Sequence, residues 1–125
     1  MGNNAQVLLF RVEPVKAAQI ENLCKNLGIR TSRISLSDYS QKLAYLAGIP
    51  GFPREDITYA GPEFPSEMMV FSNMADRLEQ FLGEYKKAGI APIGLKAVIT
   101  PHNIFWSAEN LYKELFKEHQ FFQKA

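Results

Sequence analysis

The sequence predicts an α/β (α+β) fold, a ferredoxin-like split βαβ domain with a four-stranded, mainly antiparallel sheet and helices on one face. An inserted helix with a Pro-rich arm, and a C-terminal helix, complete the prediction. Two observations support it. A strand–helix–strand pattern occurs twice, at about residues 6–36 and 67–100. The glycine-rich phosphate loops of the competing doubly wound parallel fold follow neither first strand. A chain of 125 residues is expected to form a single domain, 1–125.

The first half begins with the apolar run "QVLLFRV" at residues 6–12, which is typical of a buried strand. Pro14 follows at a position where a helix tolerates proline, in its first turn. Apolar side chains then recur every three or four residues and predict one buried helix face: Ala17, Ile20, Cys24 and Leu27. Gly28 is expected to end this helix, and residues 29–36 are expected to form the second strand.

The second half repeats this order. Residues 67–71, "EMMVF", predict a strand, and "IGLKAVIT" at residues 93–100 predicts another. Between them Gly89 is expected to end a helix whose apolar stripe is Leu78, Phe81, Tyr85 and Ala88. A shift of 61 residues aligns 6–29 with 67–90 without a gap, and five of the twenty-four pairs are identical. Gene duplication and chance similarity between two strand–helix units both explain this match.

Residues 37–66 connect the halves. Residues 37–48 predict a short helix capped by Ser37 or Asp38. The remainder is rich in proline and glycine, which prevent regular structure, but it also carries Phe52, Tyr59 and Phe64. The aromatic residues favour an arm that packs against the sheet, although a lid or an oligomer contact would also use them.

Residues 107–120 predict the C-terminal helix. Ser107 is a good N-cap, and Glu109 lies in the first turn, where the helix dipole favours an anion. One face of this helix is broadly apolar, so we expect it to dock on the sheet or on another subunit.

Composition excludes several classes of function. The net charge of +1 and the lack of like-charge runs make nucleic-acid binding unlikely. No apolar stretch approaches the ~20 residues that a membrane span needs, so no membrane partner is predicted. A single cysteine, Cys24, forms no intrachain disulfide, and the first residues lack a secretory signal pattern, which together favour the cytoplasm.

The candidate site lies in "KAVITPHNIFWS", residues 96–107, where an apolar strand ends and polar residues follow. Its candidate ligand-binding residues are Lys96, Thr100, His102, Asn103 and Trp106. The alternative interpretation is structural: Pro101 ends the strand, Asn103 makes the turn and Trp106 fills the space between strand and helix. No catalytic set, metal site or cofactor is predicted, because Cys24 lies on a buried helix face and the two histidines lack metal-ligand spacing.

Residues 68–119 resemble a bacterial family known as domain of unknown function 3783. The resemblance depends on "MVFSNMADRLEQFLGEYKKAGI" and on "LKAVITPHNIFWSAENLYKELFKEH", including the Thr-Pro-His-Asn tract and the Glu-His at the end of the helix. It implies a small cytoplasmic bacterial protein in which this tract is a unit. It implies no catalytic roles, because the family carries no established activity.

The function expected from these observations is a non-catalytic binding or regulatory module that acts through oligomer or partner contacts, with a homodimer as the candidate assembly. The alternative is a small-molecule-binding protein or enzyme with a pocket at the end of the fourth strand. A third alternative is weak RNA binding, because Phe10 and Phe71 occupy equivalent positions on the two strands that a split βαβ sheet places at its centre; core burial is the better explanation of both.

Overall fold

The structure is a computed structural model that describes the backbone of residues 4–124 and the side chains of residues 4–118. Its strands are β1 (Gln6–Phe10), β2 (Arg30–Arg33), β3 (Met68–Ser72) and β4 (Leu95–Val98). Its α-helices are α1 (Pro14–Leu27), α2 (Leu43–Leu46), α3 (Leu78–Lys87) and α4 (Ala108–Lys124). A single 3-10 turn, Leu36–Asp38, precedes α2.

The four strands form one mixed sheet in the order β2-β1-β3-β4. β1 pairs with β2 and β3 pairs with β4 in parallel, and the two units meet where β1 and β3 pair antiparallel. The α/β class is confirmed, but the sheet is not mainly antiparallel. The ferredoxin-like split arrangement is not confirmed either, because each helix connects two strands that are direct neighbours and no strand separates them. Both topologies share one order of elements along the chain, so that order alone does not distinguish them.

Both faces of the sheet are covered, which corrects the expectation of helices on one face only. On the first face, Val7, Leu9 and Phe71 pack against α1 and α3. On the second face, Leu8 and Phe10 pack against α2, the arm and α4. All side chains of β1 and β3 are buried, and this double burial explains why both strands read as continuous apolar runs.

The gapless shift of 61 residues pairs residues that hold equivalent positions in the two helices, but it does not do so in the central strands. It superposes Ile20 of α1 on Phe81 of α3, and both are buried under the first face. It also superposes Phe10 on Phe71, yet Phe10 lies on the second face and Phe71 on the first. A slip of one residue moves a strand side chain to the opposite face. The predicted equivalence of Phe10 and Phe71 is therefore wrong, and the two rings share no surface on which bases could stack.

The ends of α1 and α3 follow the sequence prediction closely. Glu13 caps α1 by accepting hydrogen bonds from the N–H groups of Val15 and Lys16, both at 3.0 Å. Gly28 and Gly89 follow the two helices with φ of 73° and 70°, a left-handed conformation that glycine adopts without steric cost. The predicted stripes are buried at their centres, whereas Leu27 and Leu78 are only partly buried and Ala88, which caps α3, is exposed.

A half-buried ion pair joins α1 to the start of β3. Lys16 Nζ donates to Glu67 Oε1 at 2.5 Å, and the N–H of Glu13 donates to Glu67 Oε2 at 2.9 Å. Burial is the largest influence on the pKa of Glu67 and raises it, but the hydrogen bonds from Lys16 and Glu13 together outweigh burial. The pKa of Glu67 is therefore lowered.

The Pro-rich segment is an arm packed on the second face, as predicted. Phe64 is 4% exposed and stacks between Tyr39 and Tyr112, with ring centroids 4.2 Å and 4.0 Å away. Gln41, which is fully buried, holds the arm through its side chain: it donates to the carbonyls of Glu55 and Ile57 and accepts from the N–H of Glu55. The arm aromatics are therefore buried by the chain itself.

The helix predicted at residues 37–48 is shorter than expected. Only Leu43–Leu46 is α-helical, and its N-cap is Lys42 rather than Ser37 or Asp38. The Asp38 carboxylate instead accepts a hydrogen bond from Arg54 of the arm at 2.7 Å. The Asp38 side chain therefore forms an ion pair and does not make the helix cap that the sequence predicted for it.

The C-terminal helix docks on β4 and the arm of its own chain, through Ala108, Leu111 and Tyr112. Ser107 caps it as predicted, because its Oγ accepts the N–H of Asn110 at 3.1 Å. No helix within the described residues is long and apolar enough to cross a membrane.

Candidate functional site

The Thr-Pro-His-Asn tract forms a turn that Asn103 holds together. This side chain is 8% exposed. Its Oδ1 accepts the N–H of Thr100 at 2.9 Å, and its Nδ2 donates to the carbonyl of Val98 at 3.1 Å. Thr100 Oγ1 in turn accepts the N–H of His102 at 3.2 Å. Both polar groups of the Asn103 amide are thus occupied within the turn.

His102 and Trp106 lie on the outside of this turn. His102 is exposed, and its ring meets the Trp106 indole edge to face at a centroid distance of 5.3 Å. Trp106 is half-buried against the second-face core, and its carbonyl accepts the N–H of Leu43 at 2.8 Å. The tryptophan therefore links the turn to α2.

Lys96 is separated from the other candidates by the sheet. It pairs in register with Met69, whose side chain is in the first-face core under α1 and α3. Its Nζ donates to the carbonyl of Ile93 at 2.8 Å. The structure therefore does not bring Lys96 together with Thr100, His102 and Asn103.

A cleft of about 630 Å³ opens at the end of the sheet where β3 and β4 finish and where β1 and β2 begin. We call it the strand-end cleft. Its apolar wall comes from the segment after α2 and from the turn after β4, and it includes Ile49, Ile99, Ile104 and Phe105. Phe105 is 61% exposed and lies beside Phe52 of the arm, with ring centroids 5.5 Å apart.

A row of polar residues crosses the sheet at this cleft. Arg30 on β2 is in register with Gln6 on β1, and Gln6 is in register with Ser72 on β3. Residues in register on neighbouring strands share a face, so all three side chains lie on the second face. Gln6 is 4% and Ser72 6% exposed. The next row on this face is apolar at Leu8, Val70 and Ala97, and Ser32 on the edge strand β2 is its one polar residue.

Hydrogen bonding within this row is incomplete. Gln6 Nε2 donates to Ser32 Oγ at 2.8 Å. The Arg30 guanidinium and the Ser72 hydroxyl make no hydrogen bond or ion pair with any residue in the described part of the chain. The lining residues include no Asp, Glu, Lys, His or Cys, and Arg30 is their one charged side chain. The cleft therefore presents a single positive charge that no lining carboxylate compensates.

Of the five candidate residues, Thr100 alone lines this cleft; Lys96, His102, Asn103 and Trp106 do not. The cleft lies at the end of the fourth strand, where the alternative prediction places a pocket. Arg30, Gln6, Ser72 and Asn73, which also line it, were not among the candidates. The carboxyl ends of parallel neighbours meet at one edge, so the end of β3 could have pointed to Ser72 and Asn73. Arg30 carries no comparable signal in the sequence.

Cys24 and the metal-ligand residues add no second site. Cys24 is fully buried on α1, as predicted, and burial raises the pKa of its thiol more than a hydrogen bond with Thr31 lowers it. No group of three or more His, Cys, Asp and Glu in the described residues could hold a metal ion.

Comparison with known proteins gives one result. Neither a curated protein nor a solved structure matches the chain. Residues 67–122 match the model of a protein family described as Domain of unknown function (DUF3783). The matched segment contains β3, α3, β4, the Thr-Pro-His-Asn turn and most of α4.

Proposed function

We propose that this protein is a non-catalytic binding module whose ligand occupies the strand-end cleft. The observation that carries the proposal is the polar row at the base of the cleft, in which Gln6 and Ser72 are nearly buried and the Ser72 hydroxyl lacks a partner among the described residues. The Ser72 hydroxyl is accessible from the cleft, and because no described residue pairs with it, it is available to hydrogen-bond a ligand. The volume of about 630 Å³ falls in the range of small-molecule sites.

The chemistry of the lining supports binding rather than catalysis. General acid–base catalysis uses His, Asp, Glu, Lys, Tyr or Cys at the reacting atoms. Among the described residues, none of these types lines the cleft. Ser72 and Thr100 supply hydroxyls, but neither has a base beside it within the lining to activate it as a nucleophile.

Aromatic residues in the arm and the terminal helix motivated the predicted homodimer. Two of them, Phe64 and Tyr112, stack on each other within one chain, so they are not available for a contact between two copies. Phe105, which lines the cleft and is 61% exposed, is an apolar side chain that a second copy could cover. Light scattering coupled to size-exclusion chromatography tests this: a monomer at micromolar concentration excludes the dimer.

A thermal-shift screen tests the cleft as a binding site. The compounds should include neutral, cationic and anionic molecules of similar size, because a ligand that binds only the native state raises the melting temperature. Ile104→Trp places a larger side chain in the cleft wall. Leu82→Trp, on an exposed position of α3 away from the cleft, is the matched control.

We expect the stabilising compounds to lose their effect on Ile104→Trp and to keep it on Leu82→Trp. Compounds that stabilise both variants equally would place the binding site elsewhere. A screen in which no class of compound stabilises the wild-type protein would refute the proposal.

A further inference from the structure

We infer that the ligand of the strand-end cleft is a small organic anion, a carboxylate or a phosphate with an apolar body, and that the Arg30 guanidinium binds its charged group. This inference rests on the proposed function of the cleft and adds the chemical class of the ligand and the residue that selects it. Four features of the structure lead to it.

The first feature is the unpaired state of Arg30. Of the other four arginines, three are occupied: Arg33 donates to Glu21, Arg54 donates to Asp38, and Arg77 donates to the carbonyl of Leu27 at the end of α1. The guanidinium of the fourth, Arg11, has no acceptor among the described residues either, but Arg11 does not line the strand-end cleft. Arg30 has no acceptor among the described residues. A planar guanidinium presents several N–H donors in a fork that matches the two oxygens of a carboxylate or phosphate.

The second feature is the sign of the charge in the lining. Arg30 is the one charged residue in the described part of the lining, which includes no carboxylate that would repel an anion. A cation placed in the same cleft would meet a guanidinium and no compensating carboxylate. Arg30 is exposed, so its guanidinium is accessible to a ligand from solvent.

The third feature is the surplus of hydrogen-bond donors. The backbone N–H groups of Ile104 and Phe105, which line the cleft in the turn after β4, have no acceptor among the described residues. The Ser72 hydroxyl and the Asn73 amide can also donate. Asn73 has a φ of 56°, which places it in the left-handed region at the end of β3. Together these groups favour a ligand rich in acceptors.

The fourth feature is the separation between charge and apolar wall. Arg30 is on the edge strand β2, whereas Ile99, Ile104 and Phe105 follow β4 at the other edge of the sheet. Inorganic phosphate would occupy only the Arg30 end. An anion with an apolar body can contact the guanidinium and the apolar wall together, and burial of that body adds to its affinity.

Isothermal titration calorimetry with four defined probes tests this inference. Phenyl phosphate and benzoate carry both the anion and the apolar ring, benzyl alcohol carries the ring alone, and inorganic phosphate carries the anion alone. Arg30→Gln removes the guanidinium, and Arg30→Lys keeps the charge without the fork. Arg33→Gln is the matched control, because it changes the same residue type on the same strand outside the cleft.

We expect the two aromatic anions to bind more tightly than either single-feature probe, and the better of the two identifies the charged group. Arg30→Gln should weaken them by about 10- to 100-fold, as expected for loss of a charge-assisted hydrogen-bond pair. Arg30→Lys should give an intermediate loss and Arg33→Gln none. Each variant is first checked for an unchanged melting temperature, and Arg30→Lys serves if Arg30→Gln unfolds.

The inference fails if benzyl alcohol binds as tightly as benzoate and Arg30→Gln leaves both unchanged. It also fails if only neutral or cationic compounds bind. If Ile104→Trp abolishes the binding of those compounds, the proposed function of the cleft still stands and only the ligand class is wrong. If no compound of any class binds the wild-type protein, both the ligand class and the cleft function are refuted.

Discussion

Replacing Asn103 by alanine should destabilise the protein by about 2–3 kcal/mol. The side chain makes two hydrogen bonds, to the N–H of Thr100 at 2.9 Å and to the carbonyl of Val98 at 3.1 Å. Each contributes about 1 kcal/mol net, and backbone groups left without a partner add about 1 kcal/mol in the partly buried turn. For a domain of this size we expect the melting temperature to fall by roughly 8–12 °C.

Trp106, the only tryptophan, lies three residues beyond Asn103 and reports unfolding of the turn directly by fluorescence. Urea denaturation of Asn103→Ala therefore measures the free energy of unfolding with a probe already in place. His102→Ala is the neighbouring control. Its ring is exposed and contacts Trp106 alone among the rings, so we expect a change below about 0.5 kcal/mol. An Asn103→Ala variant as stable as wild type, or a His102→Ala variant that loses as much as Asn103→Ala, would refute this account of the turn.

Three further changes have defined outcomes. Gly89→Ala should lower the free energy of unfolding by about 1–2 kcal/mol, because φ is 70° at this position. Gly83→Ala should raise it by about 0.5–1 kcal/mol, because Gly83 lies inside α3 and no atom is within 4 Å of the added Cβ. Chemical denaturation of both variants checks the opposite signs. The lowered pKa of Glu67 stabilises the folded state fully above the ordinary value of 4.5, and this stability is lost as the pH falls through the lowered pKa. The difference in unfolding free energy between wild type and Glu67→Gln should therefore shrink from pH 7 to pH 3. A difference that stays constant over this range would contradict the prediction. Gln41→Leu should cost about 2–4 kcal/mol, since it leaves the N–H and carbonyl of Glu55 unpaired; limited proteolysis should show earlier cleavage of the arm than in wild type, and an unchanged cleavage rate would count against this role.

Local features of this fold could be predicted from the sequence because each depends on a few neighbouring residues. The left-handed glycines after α1 and α3, the Ser107 cap and the apolar faces of both helices all follow from short-range chemistry. Strand pairing depends instead on the long connection of residues 34–67, which crosses one face of the sheet and does not form a hairpin. The sequence shows the length and the aromatic content of this connection, but a pattern of apolar residues does not indicate with which strand edge the next strand pairs.

The candidate site could be predicted in position but not in composition. A pocket at the end of β4 was expected, and the cleft lies there, with Thr100 in its lining. His102 drew attention because histidine is chemically versatile, whereas the structure places the ring outside the cleft. Arg30 and Ser72 are distant in sequence from each other and from Thr100, and they share a site only because β1 pairs with both β2 and β3. Sites assembled by strand register are not visible until the register is known.

The antiparallel junction of β1 and β3 divides the cleft between the segment that matches the family model and the chain before it. The matched segment, residues 67–122, contributes Ser72, Thr100 and the apolar wall of the cleft, whereas Gln6 and Arg30 come from the chain before it. The matched segment alone therefore holds half of the four-stranded sheet, with one edge of β3 left without its β1 partner. Under the proposed function, the residues that this chain places beside Ser72 from outside the matched segment, Gln6 and Arg30, are the ones that select the ligand.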